Sequence, residues 1–209
     1  MKIYDLSLVL DRNLLAYPGD PNVEIHQIAG SESEWNLTTI CMSSHSGSHL
    51  DAPLHLLKNG IGIMGIQLER CMGYCKVLDL TSIAFGDKIT RSHLDQYTIK
   101  KNDIILLKTK NSSILTQAFN SQFICLNEEG ARYLVESDIK AVGIDYLSIG
   151  SKEVHEILLG NAVLIYETLN LQSVSSGRFY FLGLPLRVAS EASPVRVILS
   201  ENTPFEKLR

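Results

Sequence analysis

Short apolar runs dominate the chain, and only a few segments repeat with a helical period. Lys2–Val9 reads as a strand. The segment Tyr17-Pro18-Gly19-Asp20-Pro21 follows as a rigid loop, because two prolines fix φ and the glycine permits a turn. Trp35–Ser44 is rich in β-formers, with Trp35, Leu37, Thr39 and Cys41 on one face and Thr38, Ile40 and Met42 on the other. Tyr74–Leu80 and Ile104–Lys108 read as buried strands, and Ala141–Ile144 and Ala162–Tyr166 as further short apolar strands. Phe179–Val188 and Val195–Leu199 supply strands in the last third. Two helices stand out. Asn127 caps one, with Glu128 and Glu129 in its first turn and Ala131, Leu134 and Val135 as its apolar stripe. The other covers Lys152–Leu159 and is expected to end at Gly160. Strands outnumber helices and do not alternate with them regularly, which argues against a doubly wound parallel sheet. The expected architecture is α/β, a mixed, barrel-like β-sheet with peripheral helices. No linker divides residues 1–209, so one domain is expected.

Composition fits an ordinary folded protein: 209 residues, 45% hydrophobic and 20% charged. The net charge of −4 makes a poor match for a polyanion, and the only basic doublet is Lys100-Lys101. No nucleic-acid partner is expected. The best uncharged apolar stretch, Ile157–Tyr166, is about half a membrane span and is interrupted by Gly160-Asn161. The first five residues turn acidic at Asp5 with no long apolar region, so neither a signal peptide nor a membrane partner is expected, and a cytoplasmic protein follows. Cys41, Cys71, Cys75 and Cys125 form no C-x-x-C pair and are expected to be reduced, buried thiols.

The chemistry concentrates in one short window. Three of the six histidines fall in the 11 residues from His45 to His55, where even spreading would place about 0.3. With Asp51 among them, His45, His49, Asp51 and His55 follow at spacings of four, two and four. Neutral imidazole and carboxylate suit divalent zinc, manganese or iron. Gly47 lets the backbone bend so that His45 and His49 converge, and Pro53 stiffens the chain between Asp51 and His55. Three donors from one segment leave coordination positions open, which favours catalysis over a closed structural site. Taken alone, His155 and Glu167 are weak candidates for further ligands. His26 and His93 are read as carrying no function.

The run His45-Ser46-Gly47-Ser48-His49-Leu50-Asp51-Ala52-Pro53-Leu54-His55 resembles the H-x-G-T-H-x-D-x-P-x-H signature of the cyclase family of metal-dependent hydrolases, which includes bacterial kynurenine formamidases and isatin hydrolases. The resemblance extends to Asp5-Leu6-Ser7, Tyr17-Pro18-Gly19-Asp20, Gly143-Ile144-Asp145-Tyr146-Leu147-Ser148, the pair His155 and Glu167, Leu184-Pro185-Leu186 and Ser193-Pro194-Val195-Arg196. It implies a swivelling β/β/α fold and a homodimer or larger homo-oligomer. It implies that His45, His49 and Asp51 hold one divalent ion, zinc or manganese, and that Asp51, His155 and Glu167 hold a second. His55 would be the catalytic histidine, and Tyr17 would line the substrate pocket. Two positions depart from the pattern. Ser48 stands for the usual Thr, which keeps a hydroxyl and loses a methyl. Tyr17 stands where Trp is usual, which gives a smaller aromatic wall with a polar tip.

The reaction implied is hydrolysis of a small amide such as an aryl formamide of the N-formylkynurenine type. The metal lowers the pKa of bound water and His55 carries the proton to the leaving nitrogen. The alternatives are an isatin hydrolase-like enzyme that opens a cyclic amide or lactone, and a non-catalytic metal-binding relative. A serine hydrolase fits poorly, because no G-x-S-x-G elbow is present.

Overall fold

The computed structural model describes residues 2–29 and 35–203. Its strands are β1 (Ile3–Asp5), β2 (Glu24–Ala29), β3 (Leu37–Cys41), β4 (His49–Asp51), β5 (Met72–Asp79), β6 (Lys88–Ile89), β7 (Ile104–Lys108), β8 (Cys125–Leu126), β9 (Ala141–Ile144), β10 (Leu164–Glu167), β11 (Gly177–Pro185) and β12 (Ala192–Ser200). Its α-helices are α1 (Arg91–Leu94), α2 (Glu128–Glu136) and α3 (Lys152–Gly160). No helix among the described residues is long and apolar enough to cross a membrane.

The main sheet runs β1-β12-β11-β5-β7-β9-β10-β4, and β4 also pairs with β12. That extra pairing closes seven strands into a ring. β12 is long enough to serve two neighbours on one edge: Ala192–Pro194 pair with β4, and Ile198–Ser200 pair with β1. The expected mixed barrel-like sheet is therefore present. Parallel pairing joins β5, β7, β9 and β10. Parallel strands are covered on both faces, so they read as unbroken apolar runs. In β7 every residue of Ile104–Leu107 is buried, with alternate side chains entering different cores. Leu50, Val77, Ile104, Leu106, Tyr166 and Phe181 belong to the cluster contributed by all seven strands, which is the barrel interior. Ile105, Leu107, Val142 and Ile165 instead pack outward against Ala131 and Leu134 of α2 and Val154 and Leu158 of α3.

Several local expectations are met and several are corrected. Asn127 caps α2, its Oδ1 accepting from the Gly130 N–H at 2.8 Å. The first strand is three residues, not the eight of Lys2–Val9. The Ser7 hydroxyl accepts from the Val197 N–H at 2.7 Å and so replaces the main-chain ladder there. Helix α3 runs through Gly160, and the left-handed residue that follows is Ala162, with φ 58°. The run Trp35–Ser44 does form a strand, but β3 pairs only with β2 and every one of its residues is exposed. Its alternation marks no core face. Cys41 lies on that strand and is exposed, unlike the buried Cys71 and Cys75. His93 sits in the capping box of α1, where its Nδ1 accepts from the Thr90 N–H, and His26 is exposed beside Glu24.

One buried carboxylate ties two strand ends together. Asp145, just after β9, accepts hydrogen bonds from the Thr109 N–H (2.8 Å), the Thr109 hydroxyl (2.7 Å), the Ser112 N–H (3.2 Å) and the Ser112 hydroxyl (2.7 Å). Burial pushes the Asp145 carboxyl up, against the pull of those donors. Asp145→Ala would strand several buried donors, each costing about 1–3 kcal/mol. The expected loss is about 3 kcal/mol or more in urea unfolding. A loss below about 1 kcal/mol would show that the turn after β7 does not depend on this anchor.

Candidate metal centre

The strand that closes the barrel also carries the densest chemistry. Ahead of β4 the chain bends at Gly47, whose φ of 63° is costly for a side-chain-bearing residue. A Cβ there would also sit 2.8 Å from Leu10 Cδ2. Within β4 the side chains alternate: Leu50 enters the barrel interior, and His49 and Asp51 face the other way. In the antiparallel pairing with β10, Glu167 lies directly opposite His49, so the two share a face. Helix α3 contributes His155. Asp51, His49, Glu167 and His155 are all buried, and His45 from the preceding loop is half-buried.

The donors converge in two overlapping groups, His45 with His49 and Asp51, and Asp51 with His155 and Glu167. Asp51 Oδ1 is 3.1 Å from His45 Nδ1 and 3.5 Å from His49 Nε2. Glu167 Oε1 is 3.1 Å from His155 Nε2, and Glu167 Oε2 is 3.4 Å from His49 Nε2. Asp51 Oδ2 is 3.9 Å from His155 Nε2. Two ligands on one tetrahedral ion at about 2.0–2.1 Å stand roughly 3.3 Å apart. His49 Nε2 and both Asp51 oxygens are fully buried and have no hydrogen-bond partner. Unsatisfied, converging nitrogen and oxygen donors with no thiolate fit a divalent cation.

The surrounding chain fixes these side chains. His49 Nδ1–H donates to Gly47 O at 2.8 Å and His155 Nδ1–H donates to Ser151 O at 2.9 Å, which leaves each Nε2 facing the cluster. The Ile149 N–H donates to Glu167 Oε1 at 2.6 Å. Thr168 follows with φ 59°, a region costly for a β-branched residue, and its N–H donates to Tyr146 O. The Ser48 hydroxyl donates to Thr168 O at 2.6 Å, so the hydroxyl retained at this position links the β4 bend to the end of β10.

Electrostatics show what the cluster does without a cation. Burial would lower the pKa of His49, but the neighbouring carboxylates of Glu167 and Asp51 raise it to about 9. His155 is raised to about 9 against the same burial, chiefly by Glu167. Burial would raise Glu167, yet the hydrogen bond from His155 and the nearby His49 ring hold it well below the usual carboxylate range. Protons on the histidines thus balance the buried carboxylates, and a cation would replace them.

His55 belongs to neither donor group. Its ring lies 4.5 Å from that of His45 and 6.0 Å from that of His155, and burial holds its pKa below the ordinary imidazole value. It shares a cleft of about 220 Å³ with Tyr17, Asp20, Leu147, Ser148 and four of the donor residues. Tyr17 makes an edge contact with Phe119, ring centroids 5.5 Å apart. All seven residues singled out by the sequence are therefore brought to one place. Two acids were missed as site residues: Asp20 on the cleft wall, and Glu191, whose Oε1 is 3.3 Å from His45 Nε2. Asp20 ends the family-like segment Tyr17–Asp20, while nothing in the local pattern marks Glu191.

Fold and site together define a mixed α/β barrel with a buried centre suited to a divalent cation. The chain belongs to the cyclase family, whose model matches residues 4–151. It is 26% identical over 210 residues to a kynurenine formamidase of Salinibacter ruber, covering 96% of this chain and 98% of that protein. A solved structure described as a potential metal-dependent hydrolase with cyclase activity superposes with a TM-score of 0.86 at 34% identity, covering 97% of this chain and 99% of the other. Isatin hydrolase A of Labrenzia aggregata shares the fold, with a TM-score of 0.85 at 20% identity over 96% of this chain and 94% of the other.

The raised histidines give a signed expectation. Their stabilising effect on metal-free protein is complete below about pH 6.5 and disappears as pH rises through about 9. A shift of this size is worth on the order of 3 kcal/mol. Urea unfolding of metal-free protein should therefore weaken between pH 6.5 and pH 9, and saturating zinc or manganese should abolish that decline. A metal-free protein equally stable at both ends of the range would contradict the charge balance described.

Proposed function

We propose that the protein is a metal-dependent hydrolase of small amides, an arylformamidase that acts on substrates of the N-formylkynurenine type. The observation that carries this reading is the pair of donor groups sharing Asp51, with His55 in the same cleft and outside both groups. Two named likenesses support it: the kynurenine formamidase relative and the metal-dependent hydrolase at 34% identity. In this reading His45, His49 and Asp51 hold one divalent ion, zinc or manganese, and Asp51, His155 and Glu167 hold a second. Such an ion supplies Lewis acidity, which makes water a nucleophile at neutral pH and stabilises charge on a carbonyl oxygen.

The chain's own residues do the rest. Burial keeps His55 neutral at pH 7, so it can take a proton from the attacking water and return it to the departing nitrogen. Tyr17, braced by Phe119, gives an aryl group an aromatic wall, and Leu147 lies on the same cleft. Four free thiols fit work in a reducing compartment such as the cytoplasm. Self-association is supported by the exposed apolar side chains of the β2–β3 ribbon, including Ile28, Leu37 and Ile40. Nearby, Leu8, Leu10, Met42, Leu184 and Leu186 line an apolar groove of about 500 Å³.

Two measurements test this reading. Metal-loaded protein should hydrolyse formanilides, and His55→Ala should keep its metal while losing about 10²–10⁴-fold in turnover. The loss should shrink for formanilides with electron-withdrawing rings, whose nitrogen departs with less protonation. A metal-free His55→Ala variant would make His55 a ligand, and turnover of isatin or lactones without formanilides would move the substrate class. Light scattering at micromolar concentration should give a dimer or larger, and a clean 23.2 kDa mass would exclude self-association.

A further inference from the structure

Three imidazoles face the metal cluster, and each presents only one nitrogen to it. For His49 and His155 the other nitrogen donates to a main-chain oxygen, Gly47 O and Ser151 O. His45 is built differently. Its Nδ1 faces Asp51 Oδ1 at 3.1 Å, and its Nε2 faces Glu191 Oε1 at 3.3 Å. A neutral imidazole carries one proton, so a ring that offers Nδ1 to a cation keeps its proton on Nε2 and needs an acceptor there.

Glu191 is held in place to be that acceptor. The Ser44 hydroxyl donates to the same Oε1 at 2.6 Å. The Glu191 main-chain oxygen accepts from the Ala52 N–H at 2.9 Å, immediately after Asp51, and Ala192 pairs with Asp51 across β4 and β12. The carboxylate is thus held from the residue before His45, and the Glu191 main chain from the residue after Asp51. It lies outside both donor groups, with the His45 ring between it and Asp51.

We infer that Glu191 is a positioning residue that fixes the His45 tautomer and aims its Nδ1 at the cation. The inference rests on the metal reading above. Of the three imidazoles, only His45 is backed by a carboxylate, and a carboxylate partner both orients an imidazole and strengthens its donor nitrogen. Ser44 limits the rotamers of Glu191 and so serves the same contact.

Zinc affinity, read by competition with a chromophoric chelator, tests this apart from turnover. Glu191→Ala should bind zinc about 10–100-fold more weakly, and Glu191→Gln, which keeps an accepting oxygen, should recover most of that loss. Ser44→Ala should fall between native and Glu191→Ala. In native zinc-loaded protein labelled with ¹⁵N-histidine, His45 should carry its proton on Nε2 and the metal-shifted resonance on Nδ1, the reverse of His49 and His155. Zinc binding by Glu191→Ala as tight as native, or a metal-shifted Nε2 in His45, would overturn the assignment. Should Glu191→Ala fail to fold, Ser44→Ala and the native spectrum decide the matter. If native protein binds no zinc or manganese, the metal reading itself fails and takes this inference with it. Native binding with no effect of Glu191→Ala defeats the inference alone.

Discussion

Two carboxylates, Asp51 and Glu167, are buried at the seam where the barrel closes, and buried charge must be balanced. Leaving a carboxylate uncompensated in such a setting costs several kcal/mol. Without a cation the balance falls to His49 and His155, whose pKa values rise to about 9. With one, the imidazoles become neutral donors. The strand that carries His49 and Asp51, residues His49–Asp51, also completes the ring of strands by pairing with both β10 and β12. Barrel closure and the charge cluster are therefore one feature, and a cation placed there acts on both.

The rest of the architecture holds that seam in register. Alternation along β4 and β10 sends Leu50 and Tyr166 into the apolar interior and leaves His49, Asp51 and Glu167 on the outer side. Strands β7, β9 and β10 run parallel, and the cleft gathers near their carboxyl ends. The Asp145 anchor follows β9, Leu147 and Ser148 line the cleft just beyond it, and Glu167 ends β10. Ligand sites of α/β sheets form at such ends, because the loops there vary without disturbing the strands. Helix α3 then delivers His155, four residues after its Ser151 cap.

Much of this was legible in the sequence. The apolar runs at Ile104–Lys108 and Ala141–Ile144 coincide with β7 and β9, because strands buried on both faces leave an unmistakable pattern. The histidine-rich window was visible because its ligands lie close along the chain. Other parts were hidden for physical reasons. The three-residue β4 is too short to show alternation. Trp35–Ser44 alternates in an exposed ribbon, so its pattern reports β propensity and no burial. Side-chain bonding at Ser7 cuts β1 short, an effect that periodicity does not encode. Glu191 meets His45 across 145 intervening positions, and only the fold brings them together. His155 and Glu167 were individually weak, and resemblance to a family pattern, not spacing, linked them to Asp51.

The central claim is that the Asp51 carboxylate is shared by cation-binding groups on either side of it. Anomalous difference density from crystals grown with zinc, recorded at the zinc absorption edge, tests it most directly. The account predicts density within bonding distance of Asp51, bounded by His45 and His49 on one side and by His155 and Glu167 on the other. No anomalous density at Asp51 in zinc-saturated crystals, with His49 and His155 simply hydrogen-bonded to the two carboxylates, would contradict it.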